Sequence, residues 1–191
     1  MNRGRLPACA GLVIVLMWLS PPVTAGHWSA SIQTSSQSID RVITRGDIWW
    51  SEVDDRKAGL GVGLAYHVTP DWRLGARYQR SRGFAVTNRC PDNGACPLIL
   101  ISESGRLQMF TVDMARQWEI GSNWSLGAGL GWMQWEFDTS GTLPGDSGGD
   151  PYLSAAVGRT LGNAWRAELG MEWSDIRYRA TRLSFTRTLG R

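Results

Sequence analysis

The sequence predicts an all-β chain folded as an eight-stranded antiparallel up-and-down barrel. Three observations carry this. Apolar residues alternate with small or polar ones, with a period of two, through eight segments. Tight polar turns are followed three times by a tryptophan at the start of the outgoing strand: Trp72 after Pro70-Asp71, Trp124 after Ser122-Asn123 and Trp165 after Asn163-Ala164. The hairpin is therefore an internal repeat. Connections also alternate short and long, so that the short turns gather at one end of a meander.

Residues 1–25 stand apart. Arg3 and Arg5 precede an apolar run from Ala10 to Leu19, then Pro21-Pro22 and the small-residue site Val23-Thr24-Ala25. This is the grammar of a cleaved secretory signal peptide, and the run is shorter than the about 20 residues a spanning helix needs. A barrel domain is expected over 26–191. Removing the signal leaves 166 of the 191 residues and lowers the net charge from +3 to +1, because Arg3 and Arg5 leave with it. No nucleic-acid partner is expected at that charge.

The elements follow in order. A first strand runs from His27 to about Ser35, with Trp28, Ala30 and Ile32 on one parity. A long polar connection to about Arg56 carries Trp49-Trp50 and the acidic Glu52, Asp54 and Asp55, and part of it is expected to extend the strands beyond any membrane. Residues 57–82 form the clearest hairpin: Leu60, Val62 and Leu64, then Trp72, Leu74 and Tyr78, share one face, while glycines and then Arg73 and Arg77 share the other. A second connection, about 84–104, holds Cys90 and Cys96. Two cysteines six apart in an exported chain suggest a local disulfide; a metal site is the competing reading and lacks nearby soft ligands. Strands four and five meet at Gly121-Ser122-Asn123, and the run Trp132 to Phe137 then breaks strict alternation, as a bulge or a protruding strand end would. Residues 138–150, rich in Gly, Asp and Pro, read as irregular. Strands six and seven occupy 152–173, a brief connection lies near 178–181, and a last strand spans about 182–189.

The apolar face is expected to meet lipid. Trp72, Trp124 and Trp165 mark its turn end, and Tyr78, Trp132 and Trp173 lie on the same parity six or eight residues on. Two aromatic girdles so spaced suit an apolar band about 25 Å tall. Charges of both signs occupy the opposite parity in mid-strand, and closure would satisfy every backbone group in a bilayer. Arg116, Arg159 and Arg187 fall on the outward parity but near the turn or chain end, where reaching a headgroup reduces the cost.

On these features, above all the hairpin GLGVGLAYHVTPDWRLGARY, the chain resembles the small eight-stranded outer-membrane barrels of the OmpA-like transmembrane domain and OmpW-like families. The resemblance implies a Gram-negative outer-membrane location, outer-membrane lipid and lipopolysaccharide as surroundings, insertion by the barrel assembly machinery, a monomer, and loops free to meet an extracellular partner. Two features depart from it: no peptidoglycan-binding domain is expected after the barrel, so that part of the OmpA-like role is not implied, and the last strand ends differently. Such barrels usually end on an aromatic residue, and here the last aromatic is Phe185, before Thr188-Leu189-Gly190-Arg191.

An eight-stranded barrel has an interior just wide enough for side chains, and buried charges must pair. Arg73, Arg77, Arg166 and Arg182 are therefore expected to pair with Asp113, Glu119, Glu168 and Glu172 in a plugged lumen. Gly59, Gly61, Gly63, Gly127, Gly129 and Gly131 would leave room for arginines from facing strands. No catalytic, cofactor-binding or metal residue is singled out: His67 sits at the turn end of strand two and reads as a structural lumen histidine. The function expected is that of a non-enzymatic outer-membrane barrel with structural, adhesive or envelope-maintaining loops. An OmpW-like conduit for apolar solutes is the alternative, favoured by inward leucine and methionine, of which few are evident; a lipid A-modifying barrel enzyme comes third.

Overall fold

The computed structural model describes residues 26–45, 50–89, 102–140, 145–162, 164–175 and 178–189. The signal segment, Trp49 and both loop cysteines lie outside the described residues. Eight strands follow one another: β1 (His27–Arg45), β2 (Trp50–His67), β3 (Trp72–Arg89), β4 (Ser102–Ile120), β5 (Trp124–Thr139), β6 (Asp146–Leu161), β7 (Trp165–Ser174) and β8 (Arg179–Thr188). Each pairs antiparallel with its sequence neighbours, and β1 pairs with β8 to close the barrel. Starting at Trp28, the ladder passes through Tyr66, Leu74, Met114, Leu130, Leu153, Trp173 and Arg179. It returns to β1 at Ser38, ten residues further along. That stagger tilts the strands, as closure of eight requires.

Strand lengths divide the barrel in two. β7 and β8 have 10 residues each, about what a tilted strand needs to cross a bilayer, whereas β1 to β6 have 16 to 19. The excess projects at the long-connection end. The polar stretch after Ser35 is thus mostly strand and not connection: Gln37 pairs with Lys57 and Asp40 with Asp54. Residues 146–150, expected to be irregular, are the start of β6 and pair with β5 from Phe137 to Met133. Cross-strand pairing has overridden the low strand propensity of Gly and Asp there. β8 likewise begins at Arg179, not Arg182.

Along β5 the polar and apolar faces exchange sides without a change of parity. In the lower half of β5, Leu126, Leu130 and Trp132 face out and Ser125 faces in; past Trp132, Met133, Trp135 and Phe137 face in and Gln134 and Glu136 face out. The broken alternation at Trp132 to Phe137 is this inversion, for the β4–β5 and β5–β6 registers run through it without a shift. The protruding part encloses an apolar core that includes Val53, Phe84, Leu107 and Tyr178. A bulge serves it: Gly83 adopts φ +81° where the β3–β4 register slips between Arg82 and Phe84, which turns Phe84 and Val86 inward. Gly121 and Gly162, at φ +72° and +73°, make the β4–β5 and β6–β7 turns.

Twenty-five large apolar side chains are exposed among the described residues, up to 72 % at Leu60. They form a belt around the lower barrel. Soluble monomers rarely expose contiguous apolar patches above a few hundred Å², so lipid is the solvent this belt requires.

Candidate functional site

The lumen of the belted half is filled by charge. Arg73 and Arg77 project from β3, Asp113 from β4, Glu168 and Glu172 from β7, and Arg182 from β8, each on the inward parity. β3 and β7 stand on opposite sides of the barrel, so their contacts cross it. Arg73 Nη2 donates to Glu168 Oε1 at 3.3 Å, and Arg77 Nη1 donates to Glu172 Oε1. Arg182 bridges the two carboxylates, with Nη1 2.8 Å from Glu172 Oε1 and Nη2 3.0 Å from Glu168 Oε1. Arg77 Nε stands 3.4 Å from Asp113 Oδ2. Arg166, nearer the turn-end mouth, reaches Glu168 Oε2 at 3.6 Å and donates to Gln117 Oε1 at 3.1 Å. Of the eight charges singled out from the sequence, seven are brought together. Glu119 is not: it lies one residue before the end of β4 and is exposed.

Several neutral partners complete the cluster, and the sequence reading passed over them. Tyr152 on β6 accepts from Arg77 Nη2 at 2.7 Å and donates to Asp113 Oδ2 at 2.7 Å. Along β1 to β3, Gln33 Nε2 donates to Gln79 Oε1 at 2.9 Å, and Ser81 Oγ donates to Gln37 Oε1 at 2.8 Å. Their signal was the parity of β1, where Gln33 alternates with Ile32. The glycines serve this packing more than they serve arginine. A Cβ at Gly59 or Gly61 would meet Gln37 or Gln33, and one at Gly131 would meet the Val112 carbonyl and Tyr152, whereas one at Gly63 would come 2.9 Å from Arg77 Cγ, as expected. Arginine also occupies the space over Gly158, which the sequence did not single out, where a Cβ would come 2.5 Å from Arg166 Nη2. Beside the cluster the lumen keeps a gap of about 20 Å³, room for about one water.

At the turn-end mouth His67 accepts or donates with Ser29 Oγ at 3.1 Å, and its ring stacks on His27 with centroids 4.3 Å apart. Serine beside histidine is part of a nucleophile–base arrangement, but Ser29 is buried and the face of the imidazole is covered by a second histidine.

On the outside, the six girdle aromatics singled out from the sequence are all exposed, and the structure adds Trp28 and Trp118 to the turn-end ring. The three outward arginines share one arrangement. Each lies directly across the ladder from a girdle tryptophan, with its guanidinium over the ring: Arg116 over Trp72 at 5.7 Å, Arg159 over Trp124 at 5.4 Å and Arg187 over Trp165 at 5.7 Å. Trp28 takes the same place on β1 opposite Tyr66, with centroids 5.2 Å apart.

A closed eight-stranded barrel with an outward apolar belt, two aromatic rings and a charged interior is a small outer-membrane β-barrel. Solved structures share the fold. OprG from Pseudomonas aeruginosa superposes with a TM-score of 0.64 at 11 % identity, over 87 % of this chain and 97 % of that one. Neisserial surface protein A gives 0.56 at 12 %, over 87 % and 99 %. Ail, the attachment invasion locus protein of Yersinia pestis, gives 0.53 at 15 %, over 86 % and 98 %. A de novo designed transmembrane barrel also reaches 0.53, so likeness at this level carries architecture and no activity. No protein-family model and no curated protein sequence matches the chain.

Proposed function

We propose that this barrel is a non-enzymatic outer-membrane protein that acts from its surface and not through its lumen, with adhesive, structural or envelope-maintaining contacts made by the parts beyond the membrane. The observation that carries the reading is the cross-lumen bridge of Arg77, Glu172, Arg182, Glu168 and Arg73, closed above by the apolar core. A path for ions would have to break several buried charge pairs at once. The projecting ends of β1 to β6 supply the surface. Ail, which shares the fold, was solved with a heparin analogue, a property of that protein which lends the adhesive reading a precedent. Lipopolysaccharide is the expected neighbour beyond the upper ring. Arg82 there faces Arg106 across the ladder, with Asp138 on the far side of Arg106, and a lipid phosphate would offset the like-charge pairing. Single-channel recording in planar bilayers tests the reading: silence is expected, and a large stable conductance would refute it.

A second reading, a conduit for apolar solutes, draws on the inward Leu107, Met109 and Met133 of the projecting half, positions the sequence did not reveal. Binding of a long-chain alkane to the purified barrel, lost in Met133→Lys, would favour it over a closed core.

A further inference from the structure

The lipid-facing belt is not smooth. On the lipid face the small residues Ala30 of β1 and Ala76 of β3 open an apolar furrow of about 570 Å³, whose floor between Val62 and Leu64 is the backbone at Gly63. Phe185 of β8 and Leu189, just past its end, line its turn-end stretch, Val62 and Leu64 its middle, and Tyr78 and Phe110 close it at the upper ring. It therefore runs the height of the belt. At its lower corner stand Trp165 and Arg187, an exposed cation that forms no ion pair among the described residues. Protein atoms leave the furrow open, and an unfilled apolar groove forfeits dispersion contacts along its whole lining.

We propose that the furrow holds one phospholipid of the turn-end leaflet, its phosphate on Arg187 and one acyl chain lying over Ala30, the backbone at Gly63 and Ala76. The occupant follows from where the groove lies. It opens on the belt, whose solvent is hydrocarbon, and its exposed rim cation, Arg187, sits in the ring of tryptophans that marks the headgroup level. A guanidinium binds a phosphate through paired, charge-assisted hydrogen bonds. Free phosphate would satisfy the arginine and leave the furrow empty, so the two features together select a lipid. The molecule carries its own control: Arg159 over Trp124 has the same cross-strand geometry in the same ring but does not line the furrow.

Native mass spectrometry of the barrel reconstituted with phosphatidylglycerol and released into mild detergent would count retained lipids. One lipid is expected on the wild type and on Arg159→Gln. Arg187→Gln should retain about fivefold less, the worth of one interfacial cation, and Ala76→Phe, which fills the floor but keeps the arginine, should also lose it. Wild-type retention by Arg187→Gln overturns the proposal. So does equal loss in Arg159→Gln, which would make retention a property of the whole ring, or displacement by inorganic phosphate alone. The heat-modifiable gel shift reports folding of each variant; should Ala76→Phe misfold, the two arginine variants still decide. None of these substitutions touches the lumen, so the outcome is independent of the conductance test.

Discussion

The guanidinium of Arg159 lies 5.4 Å over the ring of Trp124, its direct cross-strand neighbour on the outer face of the barrel. The pair accounts for an arginine on a lipid-facing parity: at the ring the charge reaches headgroups while its flat face covers an indole. A double-mutant cycle with Trp124→Leu and Arg159→Gln, read by equilibrium unfolding in micelles, should give a coupling of about 0.5 to 2 kcal/mol. Strict additivity would mean the two side chains do not interact.

Depth sets the cost of a new outward charge. Leu169 lies in the middle of β7 on the outer face, and Leu161 lies at the turn end of β6. Leu169→Arg should lower stability by about 2 to 4 kcal/mol and Leu161→Arg by about 0 to 1 kcal/mol. Folding titrations into lipid vesicles would measure both, and equal costs would place the belt wrongly.

Glu172 accepts from both Arg77 and Arg182 inside the lumen. Glu172→Leu leaves two buried guanidiniums short of a carboxylate and should cost about 3 to 5 kcal/mol, seen as an earlier urea midpoint. Adding Arg182→Met should recover part of that loss, because it removes one of the stranded cations. A single mutant as stable as the wild type would show that the cluster does not hold the lumen.

Gly83 has φ +81° with nothing within 4 Å of where a Cβ would sit. Gly83→Val is therefore a test of backbone strain without a clash, and a loss of about 1 to 3 kcal/mol is expected. A neutral substitution would mean that the β3 bulge is not fixed by its glycine.

The belted half of the barrel was legible because its two faces differ in kind. Leu60, Val62 and Leu64 against glycine, or Trp165 and Leu169 against Arg166 and Glu168, declare a side each. Glu119 had the right parity and the wrong depth: one residue from the strand end it points to water, and parity carries no information on height. The projecting half was legible only in part, for another reason. Ser36-Gln37-Ser38 and Gly148-Gly149-Asp150 have the composition of connections, and only pairing with β2 and β5 makes them strand. Above Trp132 the alternation persists while its meaning reverses, so Leu107 and Met133, read on one uniform rule, did not register as a core. The pairing of Arg116, Arg159 and Arg187 with tryptophans depends on register between different hairpins, which no local pattern encodes.

The reversal at Trp132 ties the strand pattern to the position of the membrane, and a spin-label scan of the outward residues of β5 tests it most directly. With the barrel in vesicles, labels at Leu126, Ala128 and Leu130 should be accessible to oxygen and shielded from a water-soluble paramagnetic reagent. Labels at Gln134, Glu136 and Asp138 should show the opposite. Water accessibility along the whole row from Leu126 to Asp138 would contradict a membrane-spanning barrel.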